Sequence, residues 1–224
     1  MTTEEFQKQI ADNPFAAIND LVYKYLYDNI VTMEIVPGSS LNESSIAKEL
    51  QISRTPIRSA IELLERDGLA KREKGRPAIV RPLDAAEYHY ISELRYAIEG
   101  QAAACAARYI TPEELRQLKA IVDDMSRSGD SRVPYPINDT SFHDIIVNAS
   151  RNPFLIKGYR LYRAKILRYR WHIHLNLMKD SNRTLACVSV HHAIYSALKN
   201  HSSYLAEREA WEDAMLMSRT VFSI

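Results

Sequence analysis

Three sets of residues in this 224-residue chain have types and spacings that can do chemistry. The first is Ser53-Arg54-Thr55-Pro56-Ile57-Arg58. Arg54, Thr55 and Arg58 lie near the start of a helical pattern, opposite an apolar stripe of Ile57, Ala60, Ile61 and Leu64 at i, i+3, i+4 and i+7. The first turns of a recognition helix meet base edges in the major groove, and arginine can bond guanine O6 and N7 with both arms of its fork. The second set is Asp139 and His143. Their i, i+4 spacing puts both on one helix face, a turn apart, where they can bind one metal ion. His191, among Ile194, Ala197 and Leu198, can turn its ring to the same cavity. The third set is Arg95 and Glu99, whose plain reading is a surface salt bridge worth a few tenths of a kcal/mol.

The elements around the first set form a winged helix-turn-helix pattern. Asn42 can cap a short helix with Ile46, Ala47 and Leu50 on its apolar face. Gln51-Ile52 makes a tight turn. Ser53 or Thr55 can cap the next helix, with Pro56 tolerated in its first turn and Gly68 ending it. Leu69–Glu73 and Ala78–Arg81 read as two short strands around Lys74-Gly75-Arg76-Pro77. This wing has a basic tip suited to a neighbouring phosphate or the minor groove. Residues 44–81 hold nine Lys/Arg against five acids, while the whole chain carries a net charge of only +1. The basic footprint is therefore concentrated here. The plainer alternative is a helical hairpin with ordinary surface charge.

The rest of the chain supplies a lead-in and a second domain. Residues 1–13 read as a polar, helical extension, and Asn13-Pro14 as the start of a helix with a stripe of Ala17, Leu21, Tyr25, Leu26 and Ile30. Val36-Pro37-Gly38 is a turn, and Arg81-Pro82-Leu83 a linker. Residues 1–81 are the expected DNA-binding domain and 82–224 the second domain. There, Asp84–Glu87 and Thr111–Glu114 have capping-box patterns. Helices are expected over about 85–109, 112–126, 137–150, 153–177, 184–200 and 203–222, with a loop over 128–136 and a turn over 179–183. No run here alternates as a strand does. The fold class is mainly α: a winged helix-turn-helix with a small β wing, then an antiparallel all-helical bundle.

Composition narrows the function classes. The near-neutral balance argues against coating of nucleic acid by the whole surface. Cys105 and Cys187 lie far apart without CxxC spacing, which suits free thiols in a reducing compartment. There is no signal-peptide pattern and no apolar run near 18 residues, so a cytoplasmic protein without a membrane partner is expected.

Pro37-Gly38, Leu41-Asn42-Glu43, Ile46-Ala47, Leu50, the SRTPxR run at 53–58, Asp67-Gly68-Leu69 and the Gly75 wing together resemble the DNA-binding domain of GntR-family transcriptional regulators, over about 17–81. The resemblance implies that Arg54 and Arg58 contact the operator and that Gly75 lies against the DNA. Lys74-Gly75-Arg76-Pro77 departs from the family's usual Arg-Gly pair followed by a small residue. The second half resembles the FCD-type effector domain of the FadR subfamily, through Glu93-Leu94-Arg95 with Ile98-Glu99, Asp139 with Phe142-His143, Ala149–Pro153, and His191 with Ala193-Ile194. That resemblance implies metal ligation by Asp139, His143 and His191, and a carboxylate clamp at Arg95 beside Glu99. The family's fourth ligand is a histidine on the last helix, and here that helix has none. Alignment on Ala214-Met215 puts the position near Ser218, although the spacing from His191 then needs about five extra residues. His172, His174, His192 and water are the other candidates.

The expected function is a ligand-responsive regulator, in the repressor sense. It binds a pseudo-palindromic operator as a homodimer and takes a small carboxylate effector, with a divalent metal of the Zn, Ni or Mn type. The alternatives are a metal-dependent hydrolase built on Asp139, His143 and His191, and a DNA-architectural protein without an effector.

Overall fold

The structure is a computed structural model that describes residues 1–12, 17–127, 133–176 and 181–222, with backbone alone at 176, 181–184 and 217–222. The chain divides into two compact units, Met1–Leu83 and Asp84–Ile224. Among the described residues, no helix is long and apolar enough to cross a membrane.

The first unit runs α1 (Thr3–Asp12), α2 (Ile18–Val31), β1 (Ser40–Leu41), α3 (Glu43–Leu50), α4 (Arg54–Arg66), β2 (Ala70–Lys71) and β3 (Ala78–Val80). The extension is a docked helix: Phe6 is fully buried and meets Tyr25 edge-on, and Gln7 Nε2 donates to the Leu50 carbonyl at 2.6 Å. That bond occupies one of the carbonyls orphaned where α3 ends. The Asn13-Pro14 start lies outside the described residues. The buried face of α2 is Val22, Tyr25, Leu26, Asn29 and Ile30, so the expected stripe is out of phase at its start: Ala17 is exposed and Leu21 half-buried.

Asn42 caps α3, accepting from Ser44 N and Ser45 N at 3.0 Å each. Gln51 makes the tight turn with left-handed backbone at φ 53°. Ser53 sits at the N-cap of α4 but makes no side-chain cap bond there. Ile57, Ala60, Ile61 and Leu64 are all fully buried, as the stripe requires. Gly68, at φ +71°, reverses the chain out of α4.

The sheet has three antiparallel strands in the order β1-β3-β2, pairing Leu41 with Ala78 and Ala70 with Val80. Its wing strands are shorter than the sequence suggested, and β1 is an addition. Gly75, at φ +79°, turns the wing with open space around it, so backbone conformation and not crowding calls for glycine.

The second unit contains α5 (Ala85–Tyr109), α6 (Pro112–Met125), α7 (Tyr135–Ala149), α8 (Pro153–Asn176), α9 (Ser181–Lys199) and α10 (Ser203–Phe222). Thr111 and Glu114 form a complete capping box. The box expected at Asp84 forms only by half. Asp84 accepts from Ala86 N at 2.8 Å, while Glu87 is taken by Lys165 Nζ at 2.8 Å. α7 starts two residues early, with Pro136 in its first turn, and α9 three residues early. Parts of the expected 128–136 loop and 179–183 turn lie outside the described residues.

α5 is the central helix, touching α7, α8, α9 and α10. Ala102, Ala103, Ala106 and Ala107 on α5, and Ala206, Ala210 and Ala214 on α10, are buried. Such small side chains let helix axes approach closely. Phe142, Ile146, Ile194 and Leu198 fill the remaining core.

Candidate functional sites

The residues expected to contact DNA lie at the surface. Ser53, Arg54, Thr55 and Arg58 are exposed, as are Lys74, Gly75 and Arg76 at the wing tip. Arg76 Nη1 donates to Glu73 Oε2 at 2.9 Å. One acid lies beneath the arginines. Glu43, in the first turn of α3, has a side chain 12% exposed, against 61% for Arg54 and 59% for Arg58. Its carboxylate takes Arg58 Nη2 at 3.1 Å, Arg54 Nη2 at 3.5 Å and Arg72 Nη1 at 3.5 Å. Arg72 also reaches Glu65 on α4 at 3.4 Å. Glu43 belongs to the family pattern, but its contact with Arg54, Arg58 and Arg72 is not legible in the sequence, because it joins three segments distant along the chain.

In the second unit α5, α7, α9 and α10 each send charged or imidazole groups into one buried cluster. Asp139 Oδ1 lies 3.3 Å from His143 Nε2 and 3.2 Å from His191 Nε2. The other ring nitrogens are already engaged. His143 Nδ1 is 3.0 Å from Glu99 Oε2, and His191 Nδ1 is 2.8 Å from the Cys187 carbonyl. Each Nδ1 proton thus has an acceptor, which aims both Nε2 atoms at Asp139. α8 contributes Arg170, whose Nε lies 2.8 Å from Asp139 Oδ2. That approach is an ion contact and not an aligned hydrogen bond, since both atoms lack a hydrogen-bond partner by geometry.

Arg95 and Glu99 are not on the surface. Both are buried, with Arg95 Nε donating to Glu99 Oε1 at 3.0 Å and Nη2 to Oε2 at 3.1 Å. The surface-bridge reading fails because these two side chains lie on the core face of α5. Nη2 also donates to Asp213 Oδ2 at 2.9 Å, and that same oxygen lies 3.3 Å from His143 Nε2. Among the described residues Asp213 is the last-helix side chain that reaches the cluster, at the place that the spacing from His191 gives, while the Ser218 side chain lies outside the described residues. Among the described residues His192 does not join the cluster; its Nε2 is 3.0 Å from Ser126 Oγ on an exposed face. His172 and His174 are absent from it as well.

The electrostatics follow from the packing. Burial opposes ionisation of every acid here, yet the neighbouring cations win. Arg170 and the two imidazoles hold Asp139 well below the usual carboxylate range. Arg95 and His143 pull Glu99 down to about 2. Burial alone would lower the pKa of His143, but Glu99, Asp139 and Asp213 together push it up to about 10. Burial, with Asp213 and Asp139 nearby, pushes the Cys187 thiol up to about 12. Counting fixed charges, Arg95 and Arg170 face Glu99, Asp139 and Asp213, a net of one negative charge balanced when His143 is protonated.

The donor set fits a divalent cation. Donor atoms of Asp139, His143 and His191 lie within 4.8 Å of one another, and His143 Nε2 is a buried nitrogen without an aligned hydrogen bond.

A winged helix-turn-helix followed by a helical domain with a buried acid–imidazole cluster defines a DNA-binding transcriptional regulator. Residues 19–80 match the bacterial regulatory proteins of the gntR family, and residues 90–213 match the FCD domain. The chain belongs to the GntR family of transcriptional regulators, in the FadR-like branch that carries an FCD domain. It is 29% identical over 142 residues to the Nta operon transcriptional regulator of Aminobacter aminovorans, covering 63% of this chain and 68% of that protein. It is 33% identical over 107 residues to the transcriptional repressor RspR of Escherichia coli, an alignment spanning 48% of this chain and 47% of that one. Two solved structures share the fold. Escherichia coli McbR/YncC has a TM-score of 0.78 at 18% identity, covering 93% of this chain and 99% of that one. A GntR regulator from Rhodococcus has a TM-score of 0.73 at 20% identity, covering 92% and 97%.

Proposed function

We propose that this regulator is a homodimeric repressor released from its operator by a small carboxylate bound in the FCD domain beside a divalent metal. The convergence of Asp139, His143 and His191, whose donor atoms lie within 4.8 Å of one another, carries the reading, and Asp213 Oδ2 lies 3.3 Å from the His143 Nε2 of that group. In this reading Asp213 stands in for the missing last-helix histidine and gives a set of two carboxylates and two imidazoles. Zn, Ni and Mn ions all accept such ligands. When bound, the metal supplies a Lewis-acid position for an effector carboxylate.

The charge count supports an anionic effector. With neutral imidazoles the cluster carries one excess negative charge, a divalent cation reverses it to one positive, and a monocarboxylate restores balance. Arg95 is the clamp: an effector carboxylate competes with Asp213 for the shared Nη2 edge, while Glu99 keeps the guanidinium oriented. Displacing Asp213 shifts α10 against α5, and differential binding of that arrangement biases the operator-bound state. Arg54, Thr55 and Arg58 read base edges, with Ser53 and the wing residues Lys74, Gly75 and Arg76 on the backbone or minor groove.

The homodimer draws support from a surface feature. Phe154 and Leu161, two turns apart on α8, are 83% and 77% exposed, and Tyr90 and Leu94 are exposed on α5, the helix against which Gly158 of α8 packs. Apolar side chains this exposed suit burial against a second copy. The repressor sense rests on RspR, which is named as one.

Elemental analysis of untagged protein beside an Asp139→Ala/His143→Ala double variant tests the metal. Near-stoichiometric metal that disappears in the variant is the expected result. Absence of metal from the wild type, even after soaking in divalent ions, would overturn it. Operator binding titrated with small carboxylates tests the effector, and no change in affinity with any of them would remove that part.

A further inference from the structure

We infer that Glu43 is a positioning residue for DNA recognition, setting the arginines of the recognition helix so that they discriminate between sequences. The inference rests on Arg54 and Arg58 as operator contacts. It is independent of the metal and of the effector.

The geometry is unusual for a surface acid. One carboxylate, nearly covered, takes guanidinium groups from two positions on α4 and from Arg72 just after β2. The arginines lie over it with their outer edges in solvent. Arg58 makes three contacts with Glu43, from Nε at 3.3 and 3.4 Å and from Nη2 at 3.1 Å. These pairings hold the Glu43 carboxyl below its usual pKa, the Arg58 bond first among the causes. An acid at a DNA-facing surface costs affinity for every duplex, because it opposes the phosphates. What it supplies in return is geometry. A phosphate accepts an arginine from many directions, whereas a bidentate bond to a guanine edge requires one orientation of the fork. Tethering the inner edge of each fork leaves the outer edge fixed. Through Arg72 and its bond to Glu65, the same carboxylate ties the start of the wing to α3 and α4.

The test uses the full chain and a duplex selected by the wild type from a random pool, with a scrambled duplex as reference. Binding of both is measured by fluorescence anisotropy over a range of salt. Glu43→Gln removes the charge; Glu43→Asp keeps it and shortens the reach. In Glu43→Gln the scrambled duplex binds several-fold tighter, with a salt slope steeper by about 0.9 for each arginine newly paired with a phosphate. The preference for the selected duplex falls roughly tenfold or more, the scale of one bidentate base contact. In Glu43→Asp the preference also falls, while scrambled affinity stays near wild type. A preference kept within twofold in both variants would overturn the inference. So would a parallel rise for both duplexes in Glu43→Gln with wild-type behaviour in Glu43→Asp, which is an ordinary charge effect. Arg58→Ala separates the two levels: if it keeps full preference, the recognition-helix assignment has failed and Glu43 has nothing to position. Asn42, not Glu43, caps α3, so circular dichroism should find all variants folded.

Discussion

Replacing Asp213 by Asn removes one buried charge and keeps the shape of the side chain. Two limits bracket the cost. Leaving a buried partner wholly uncompensated costs about 3–5 kcal/mol. Arg95 is not left so, because Glu99 still accepts two bonds from it at 3.0 and 3.1 Å. The loss then reduces to the charge-assisted bond from Nη2 at 2.9 Å, about 2 kcal/mol. The fixed charges that remain, two arginines against two acids, balance with both imidazoles neutral, so His143 can shed its proton and no excess charge is stranded. In a domain of this size each kcal/mol moves the melting temperature by about 2–4 °C, giving a drop of roughly 4–8 °C. The assay is thermal melting followed by tryptophan fluorescence in chelator. Both tryptophans, Trp171 and Trp211, belong to the helical unit, so the signal reports that unit alone. Glu99→Gln is the companion. It leaves one acceptor oxygen for Arg95, His143 Nδ1 and the Tyr162 hydroxyl and sets an amide donor against Arg95 or His143, and should cost more, about 3–5 kcal/mol. An unchanged or raised melting temperature in Asp213→Asn, or a larger loss there than in Glu99→Gln, would refute the reasoning.

Three further outcomes are expected. Arg58→Ala abolishes sequence-specific binding in electrophoretic shifts and leaves the circular dichroism spectrum unchanged; wild-type operator affinity would remove α4 as the recognition helix. Leu161→Asp combined with Phe154→Asp converts dimer to monomer in light scattering, since each aspartate would have to be desolvated at the interface; an unchanged mass would move the interface elsewhere. Phe6→Ala, at a fully buried position, destabilises the first unit by about 3–5 kcal/mol, read as faster hydrogen exchange in α1 and α2. Protection equal to wild type would mean that α1 adds nothing to that unit's stability.

Much of the first unit was legible because its signals are local. The stripe on α4, the cap at Asn42 and the glycine at the wing each declare themselves within one turn of chain. β1 did not, because two residues have no period and Ser40–Leu41 is a strand only through its pairing with Ile79 and Ala78. The buried cluster was legible at Asp139, His143 and His191, where a helical interval and the family pattern agree. Asp213 escaped because it is a charged residue inside a buried stripe, sharing its face with Ala206, Ala210 and Ala214. Arg170, in line with Tyr159, Ile166 and Ile173, stands instead among the aromatic and basic groups that crowd α8 and from which pocket-lining residues are expected. A charge on an apolar stripe is itself a signal, since burial of an ion needs a partner. Reading α10 by face instead of by its Ala-Met pair would have pointed to Asp213.

The order of the sheet bears on how force crosses the molecule. β3 is the middle strand and leads directly into the linker. It is hydrogen-bonded along both edges, so tension on Arg81 is shared in shear by β1 and β2 and does not peel them apart one bond at a time. Arg81 N is itself anchored to the Leu69 carbonyl at 2.9 Å, and Gly38 N to that of Val80 at 2.9 Å. A pull along the linker would therefore arrive first at Leu69, just beyond the end of α4, and at the turn before β1.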